Sequence, residues 1–164
     1  MGKGMAKLNF NEARHLVART GIGVEWETIQ RYQNLTRQQA IEYLLKNQDM
    51  KLPAPPGMSP WSKMVALRGN MRRKKMVKRI SRGEGKKLQD WWVKHLIATR
   101  SPFLERMTLF WHNHFPSSIE KTTQASMLHQ QNLMLRKHAL RNIGQMLHQI
   151  AKDPAMLVYL DGYV

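Results

Sequence analysis

The amino-acid sequence predicts an all-α protein of about seven to eight helices with no sheet, organised as a single domain over residues 1–164. Three observations carry this. Apolar residues recur at intervals of three and four in segment after segment, the spacing of one helical face. Helix-start signals recur with them: Thr36-x-x-Gln39, Ser59-Pro60, Ser101-Pro102 and Asp153-Pro154. No period-2 alternation of the kind a half-buried strand needs is present, and no internal repeat.

In chain order, Asn11 is placed to cap a first helix over Glu12 to Arg19, which closes at Gly21 in the left-handed conformation. A second short helix covers Glu25 to Gln33. The capping box at Thr36 then opens a helix whose apolar stripe is Ala40, Ile41, Leu44 and Leu45. Residues 48–58, with Pro53, Pro55, Pro56 and Gly57, form an extended internal loop. Ser59-Pro60 opens a helix that runs to about Arg82, where Gly83 and Gly85 break it. Leu88, Trp91, Trp92, His95 and Leu96 mark another, ending near Thr99.

After Ser101-Pro102, residues Phe103, Met107, Phe110, Trp111 and His114 fall on one face. Pro116 disfavours the helical conformation at Phe115, so this helix ends within the Phe110–Phe115 motif. Helices from about Thr122 to His138 and Arg141 to Ala151 follow, the second with Ile143, Met146, Leu147 and Ile150 as its stripe. Asp153-Pro154 starts a last short helix.

The composition narrows the functional classes. Apolar content of 42% supports a core, and 23% charged residues suit a protein in water. There are no cysteines, which excludes disulfides and thiolate metal sites. No apolar stretch approaches the roughly 20 residues of a membrane span, and no apolar run follows the basic start as a signal peptide requires. Phosphate-binding loops, dinucleotide fingerprints, nucleophile elbows and His-Glu-x-x-His zinc motifs are all absent.

The formal net charge is +16, and residues 61–100 hold 13 Lys/Arg against 2 Asp/Glu. A block of this kind points to nucleic acid, an anionic membrane surface or an acidic partner. Its anion-binding candidates are Arg72, Arg73, Lys74, Lys75, Lys78 and Arg79, within a basic stretch at residues 68–87. No helix-turn-helix, zinc-finger or RNA-binding signature accompanies them, so contact would be independent of sequence.

A second cluster carries ionisable groups inside apolar context. His112 and His114 stand two apart in Phe110-Trp111-His112-Asn113-His114-Phe115, about 200° apart on a continuous helix. The simplest reading makes His114 a core histidine and His112 a surface or inter-helix polar contact. His129, Asn132 and Arg136 form a polar stripe at i, i+3 and i+7, so that Asn132 either ties helix ends together or lines a polar pocket with Arg136 and the histidines. Asp161 closes the run Leu157-Val158-Tyr159-Leu160 and needs water, a partner or a ligand. With His112 and His114 it would complete a two-His-one-carboxylate site for a divalent metal, although the sequence itself requires no cofactor.

A family resemblance rests on several motifs taken together. These are Ala13-Arg14-His15-Leu16 with Arg19-Thr20-Gly21-Ile22-Gly23, Trp91-Trp92 with Ala98-Thr99-Arg100-Ser101-Pro102, and Leu109 through Phe115. Gln131-Asn132 with Leu135-Arg136 and His138-Ala139-Leu140, then Asp153-Pro154-Ala155-Met156-Leu157 with Tyr159-Leu160-Asp161, complete the set. In this order, from Asn11 to Asp161, they resemble the bacterial family of helical proteins known as domain of unknown function 1800. The resemblance implies an all-α protein with no agreed catalytic residues, in a family whose members are often exported. It also implies longer members that continue past the tyrosine-leucine-aspartate step, so the chain is expected to be a fragment or shortened form. Without a signal peptide the default compartment is the cytoplasm.

The expected function is a non-catalytic binding or assembly module with a basic face. Its partner would be a protein, the continuing C-terminal segment, or an anionic nucleic acid or membrane surface. The alternatives are a metal-assisted enzyme half-site on His112, His114 and Asp161, and sequence-independent nucleic-acid or anionic-surface binding through residues 68–87.

Overall fold

The computed structural model describes residues 6–46, 48–60 and 71–162. Among them are nine helices and no strand: α1 (Phe10–Thr20), α2 (Trp26–Gln33), α3 (Arg37–Lys46), α4 (Met71–Ala98), α5 (Pro102–His114), α6 (Ile119–Thr122), α7 (Ala125–His138), α8 (Ile143–Ile150) and α9 (Pro154–Tyr159). The all-α class is therefore as the sequence predicts. The start of the helix predicted from Ser59-Pro60, with Trp61, Met64, Val65, Leu67 and Arg68, lies outside the described residues. The chain divides into two compact units, Met1–Met50 with Leu96–Arg106, and Lys51–His95 with Met107–Val164.

In the first unit, α1 begins two residues earlier than expected. Its cap is Asn9 rather than Asn11, because Asn9 and Glu12 form a reciprocal capping box, each side chain accepting from the other's backbone N–H at 2.9 Å. α1 packs on α2, and Leu8, Ala13, Val17, Ile29, Tyr32 and Ala40 form the core. Tyr32 meets Tyr43 edge to face at 5.7 Å, and burial pushes its hydroxyl up to about 12. The capping box at Thr36 and Gln39 forms as predicted, but Ile41 and Leu45 of the α3 stripe stay exposed. Gly21 is extended (φ −97°), not left-handed. Glycine is needed there for space: a Cβ would sit 2.8 Å from the Val17 carbonyl oxygen and 2.9 Å from that of Gly23.

In the second unit, α4 corrects the largest error of the sequence reading. Gly83 and Gly85 do not break it, and the helix runs unbroken for 28 residues. Its buried residues, Val77, Ser81, Gly85, Leu88 and Trp91, recur at helical spacing along one side. Gly85 makes room for α6, since a Cβ there would approach Ile119 Cγ1 to 2.8 Å. That packing offsets the helix-propensity cost of glycine, roughly 1 kcal/mol. The segment before α4 is tied to it: Trp91 Nε1 donates to the Pro53 carbonyl at 3.2 Å, and Ser59 donates through both N and Oγ to Glu84.

The helix predicted from about Thr122 to His138 is α7, which starts three residues later, at Ala125, and is preceded by the four-residue α6. Thr123 adopts a left-handed conformation (φ 54°), ending α6 before α7 begins at Ala125. The Thr123 carbonyl oxygen, 2.7 Å from Ser81 Oγ, stays partnered through that break. α9 packs on α6 and α7, capped by Asp153, whose carboxylate accepts from Met156 N at 2.8 Å. Leu135, Met146, Ile150 and Met156 form one core cluster, and Leu88, Trp91 and Ala125 another.

Candidate functional site

The ionisable residues of the second unit fall into two groups, one turned inward and one outward. The inward group centres on α5 and α7. The apolar residues of α5 predict the face Phe103, Met107, Phe110, Trp111 and His114 as the buried one. The structure instead buries Thr108, and on the part of α5 that belongs to the first unit Leu104 and Glu105, almost completely, and leaves Phe110 51% exposed. His112 follows Thr108 by one turn on this inward polar edge, and His114 is exposed.

His112 therefore takes the place expected for His114. Asn132 Nδ2 donates to His112 Nε2 across 3.0 Å, which puts the imidazole proton on Nδ1. The Trp92 ring lies 4.7 Å from the imidazole, centroid to centroid. Burial pushes His112 down to about 4, so at neutral pH it is an uncharged hydrogen-bond acceptor. A base of that strength is a poor proton carrier at pH 7. Its contact with Asn132 joins α5 to α7. His114 packs against Phe115 at 4.7 Å and stacks on Phe110 at 6.3 Å.

α7 carries the rest of the inward group. His129, Asn132 and Arg136, the polar stripe read from the sequence, are all buried, with Arg136 2% exposed. His129 meets Trp91 edge to face at 5.3 Å, and burial lowers its pKa. Sequence reasoning missed Gln131, Glu105 and Thr108, each fully buried. Gln131 Nε2 donates to Asp153 at 2.9 Å and lies 3.0 Å from Ser117 Oγ. Burial raises the pKa of Asp153, while the Met156 N–H and Gln131 favour its charged form. The only advance sign of this network was the predicted cap at Asp153.

The proposed metal triad does not assemble. α5 remains helical through His114, so His112 and His114 diverge, and Asp161 is held elsewhere. Its carboxylate accepts from Lys121 Nζ at 2.7 Å, and Lys121 also lies over the Tyr159 ring. Among the described residues no group of three His, Asp or Glu side chains is disposed to hold a metal ion.

The outward group is the first half of α4. Arg72, Arg73, Lys74, Lys75, Lys78 and Arg79 are all exposed, as are Arg82, Lys86 and Lys87 beyond them. Helical geometry sets Arg72, Lys75, Arg79, Arg82 and Lys86 in one row opposite the buried Val77, Ser81 and Leu88. Arg82 forms a two-point pair with Glu120, at 3.1 and 3.2 Å, which raises the pKa of Arg82 and lowers that of Glu120. Lys86 pairs with Asp90 at 3.0 Å. Among the described residues no carboxylate pairs with Arg72, Lys74, Lys75 or Arg79.

The first unit has a cavity of about 990 Å³ of its own. Glu25, Glu27 and Asp49 line it together with Arg31, Lys46 and Arg100, so its charge selects neither an anion nor a cation.

The fold and these two groups define an all-α protein with a closed polar core and an open cationic helix face. The chain belongs to the family described as Protein of unknown function (DUF1800), which it matches over residues 15–163. No curated protein and no solved structure matches it.

Proposed function

We propose that the chain is a non-catalytic binding module whose α4 face engages a polyanionic partner. The observation that supports this is the row of exposed cations on a rigid helix, of which Arg72, Lys75 and Arg79 lack a carboxylate among the described residues. Like charges at this density repel one another along the helix. The α4 row adds that cost without burying anything, and an approaching polyanion would convert it into attraction. The inward histidine is a poor competing catalytic centre, because it is neutral, packed against Trp92 and engaged by Asn132.

The test is binding to a sulfated polysaccharide such as heparin at several salt concentrations. The wild-type chain should elute late and at high salt. Arg72→Gln/Lys75→Gln/Arg79→Gln should elute much earlier with unchanged helical content by circular dichroism. Elution of both proteins at the same salt would show that binding does not run through this face.

A further inference from the structure

Given a polyanion as partner, we infer that it is a nucleic-acid backbone, contacted in a row by Arg72, Lys75, Arg79, Arg82 and Lys86 without reading the bases. The row is straight, because α4 is unbroken between its ends. Steps of three and four residues place successive cations about 4.5 and 6 Å apart along the axis, and the row spans about 21 Å. A phosphodiester strand presents regularly spaced single charges, and this length corresponds to roughly six base pairs. Three of the five residues are arginines, whose planar forks grip phosphate oxygens in pairs.

The surroundings argue against the other polyanions. A helix that binds a lipid surface sinks an apolar face into it. Here that face, Val77, Leu88 and Trp91, is buried in the protein, and from Met71 to Leu88 the exposed apolar side chains of α4 are Met71 and Met76. A protein partner would normally meet an apolar or aromatic centre inside a polar rim, and among the described residues this stretch of α4 offers only Met71 and Met76 at its edges.

Glu120 gives the row a built-in restraint. From α6 it holds Arg82 at two points and lies close enough to Lys78 for its charge to be felt there. A phosphate must displace this carboxylate to reach Arg82. Removing the Glu120 charge should therefore tighten binding, an outcome that a misfolded variant would not produce.

The experiment is fluorescence anisotropy of the full chain with a short duplex DNA over a salt series. Phosphatidylserine vesicles and polyglutamate are measured beside it. The inference predicts a slope of log affinity against log salt of about −4 for DNA, falling to about −2 in the Arg72→Gln/Lys75→Gln/Arg79→Gln variant. Glu120→Gln should bind DNA about threefold more tightly at the same salt. Vesicles or polyglutamate bound as tightly as DNA would overturn the nucleic-acid partner and leave the polyanion reading standing. Absence of binding to all three would overturn the nucleic-acid partner, and a DNA slope that the triple variant does not change would overturn both.

Discussion

The polar seam between α5 and α7 and the cationic face of α4 use the same kinds of residue in opposite ways. In the seam, His112 meets Asn132 at 3.0 Å and Gln131 meets Asp153 at 2.9 Å, and burial has pushed His112 towards its neutral form. On α4, Arg72, Lys75 and Arg79 are exposed and without an ion pair among the described residues. Buried polar groups cost stability unless they are hydrogen-bonded, and here the contacts tie α7 to α5 and to the cap of α9. Exposed cations of one sign contribute nothing to a core. On the proposed reading, the seam serves the fold and the α4 face serves a partner.

The largest expected effect lies in the seam. His112→Ala removes a half-buried ring and leaves Asn132 without its contact, and should lower stability by about 2–3 kcal/mol in chemical denaturation. His114→Ala should cost less than about 1 kcal/mol, because that ring is exposed. Equal losses would erase the distinction between the two histidines.

The seam also predicts a pH dependence. His112 has its folded pKa lowered from 6.5 to about 4, so between those values the unfolded chain binds the extra proton. Stability should therefore fall as pH drops from about 6.5 to about 4, by up to about 3 kcal/mol for this residue. Burial acts in the same direction at His129. A denaturation series in His112→Gln should show a visibly shallower fall, and an unchanged fall would remove His112 from the account.

Two glycines on α4 test the packing that presents the cationic face. Gly85→Ala drives a Cβ against Ile119 and should destabilise by about 1–2 kcal/mol despite better helix propensity. Gly83→Ala meets nothing within 4 Å and should stabilise by up to about 1 kcal/mol. Thermal melts of the two variants should shift in opposite directions. The smallest effect is expected at Asp161, which combines a left-handed conformation with an exposed ion pair to Lys121. Asp161→Gly relieves the first and loses the second, so its melting temperature should stay close to that of the parent.

The comparison also explains what could be read from the sequence. Local signals were legible: the capping box at Thr36 and Gln39, the Asp153 cap, and the i, i+3, i+7 stripe of His129, Asn132 and Arg136 that the structure buries. Each depends on residues a few positions apart. The orientation of α5 was not legible, because its apolar pattern favours burying Phe110 and His114 while tertiary surroundings bury Glu105 and Thr108. Gly85 read as a helix breaker because its reason for being glycine is Ile119, 34 positions away. The failure of His112, His114 and Asp161 to meet was implicit in the two-residue spacing, but the Lys121 contact of Asp161 was not. The exposed cations were the most legible feature, since charge at that density has few ways to be buried.

The most direct test is to measure stability and polyanion affinity on one variant, Arg72→Gln/Lys75→Gln/Arg79→Gln. The account predicts an unchanged or slightly raised melting temperature together with a large loss of salt-sensitive binding. A variant that binds as tightly as the parent, or that unfolds with the loss of these charges, would contradict the assignment of this face to a partner.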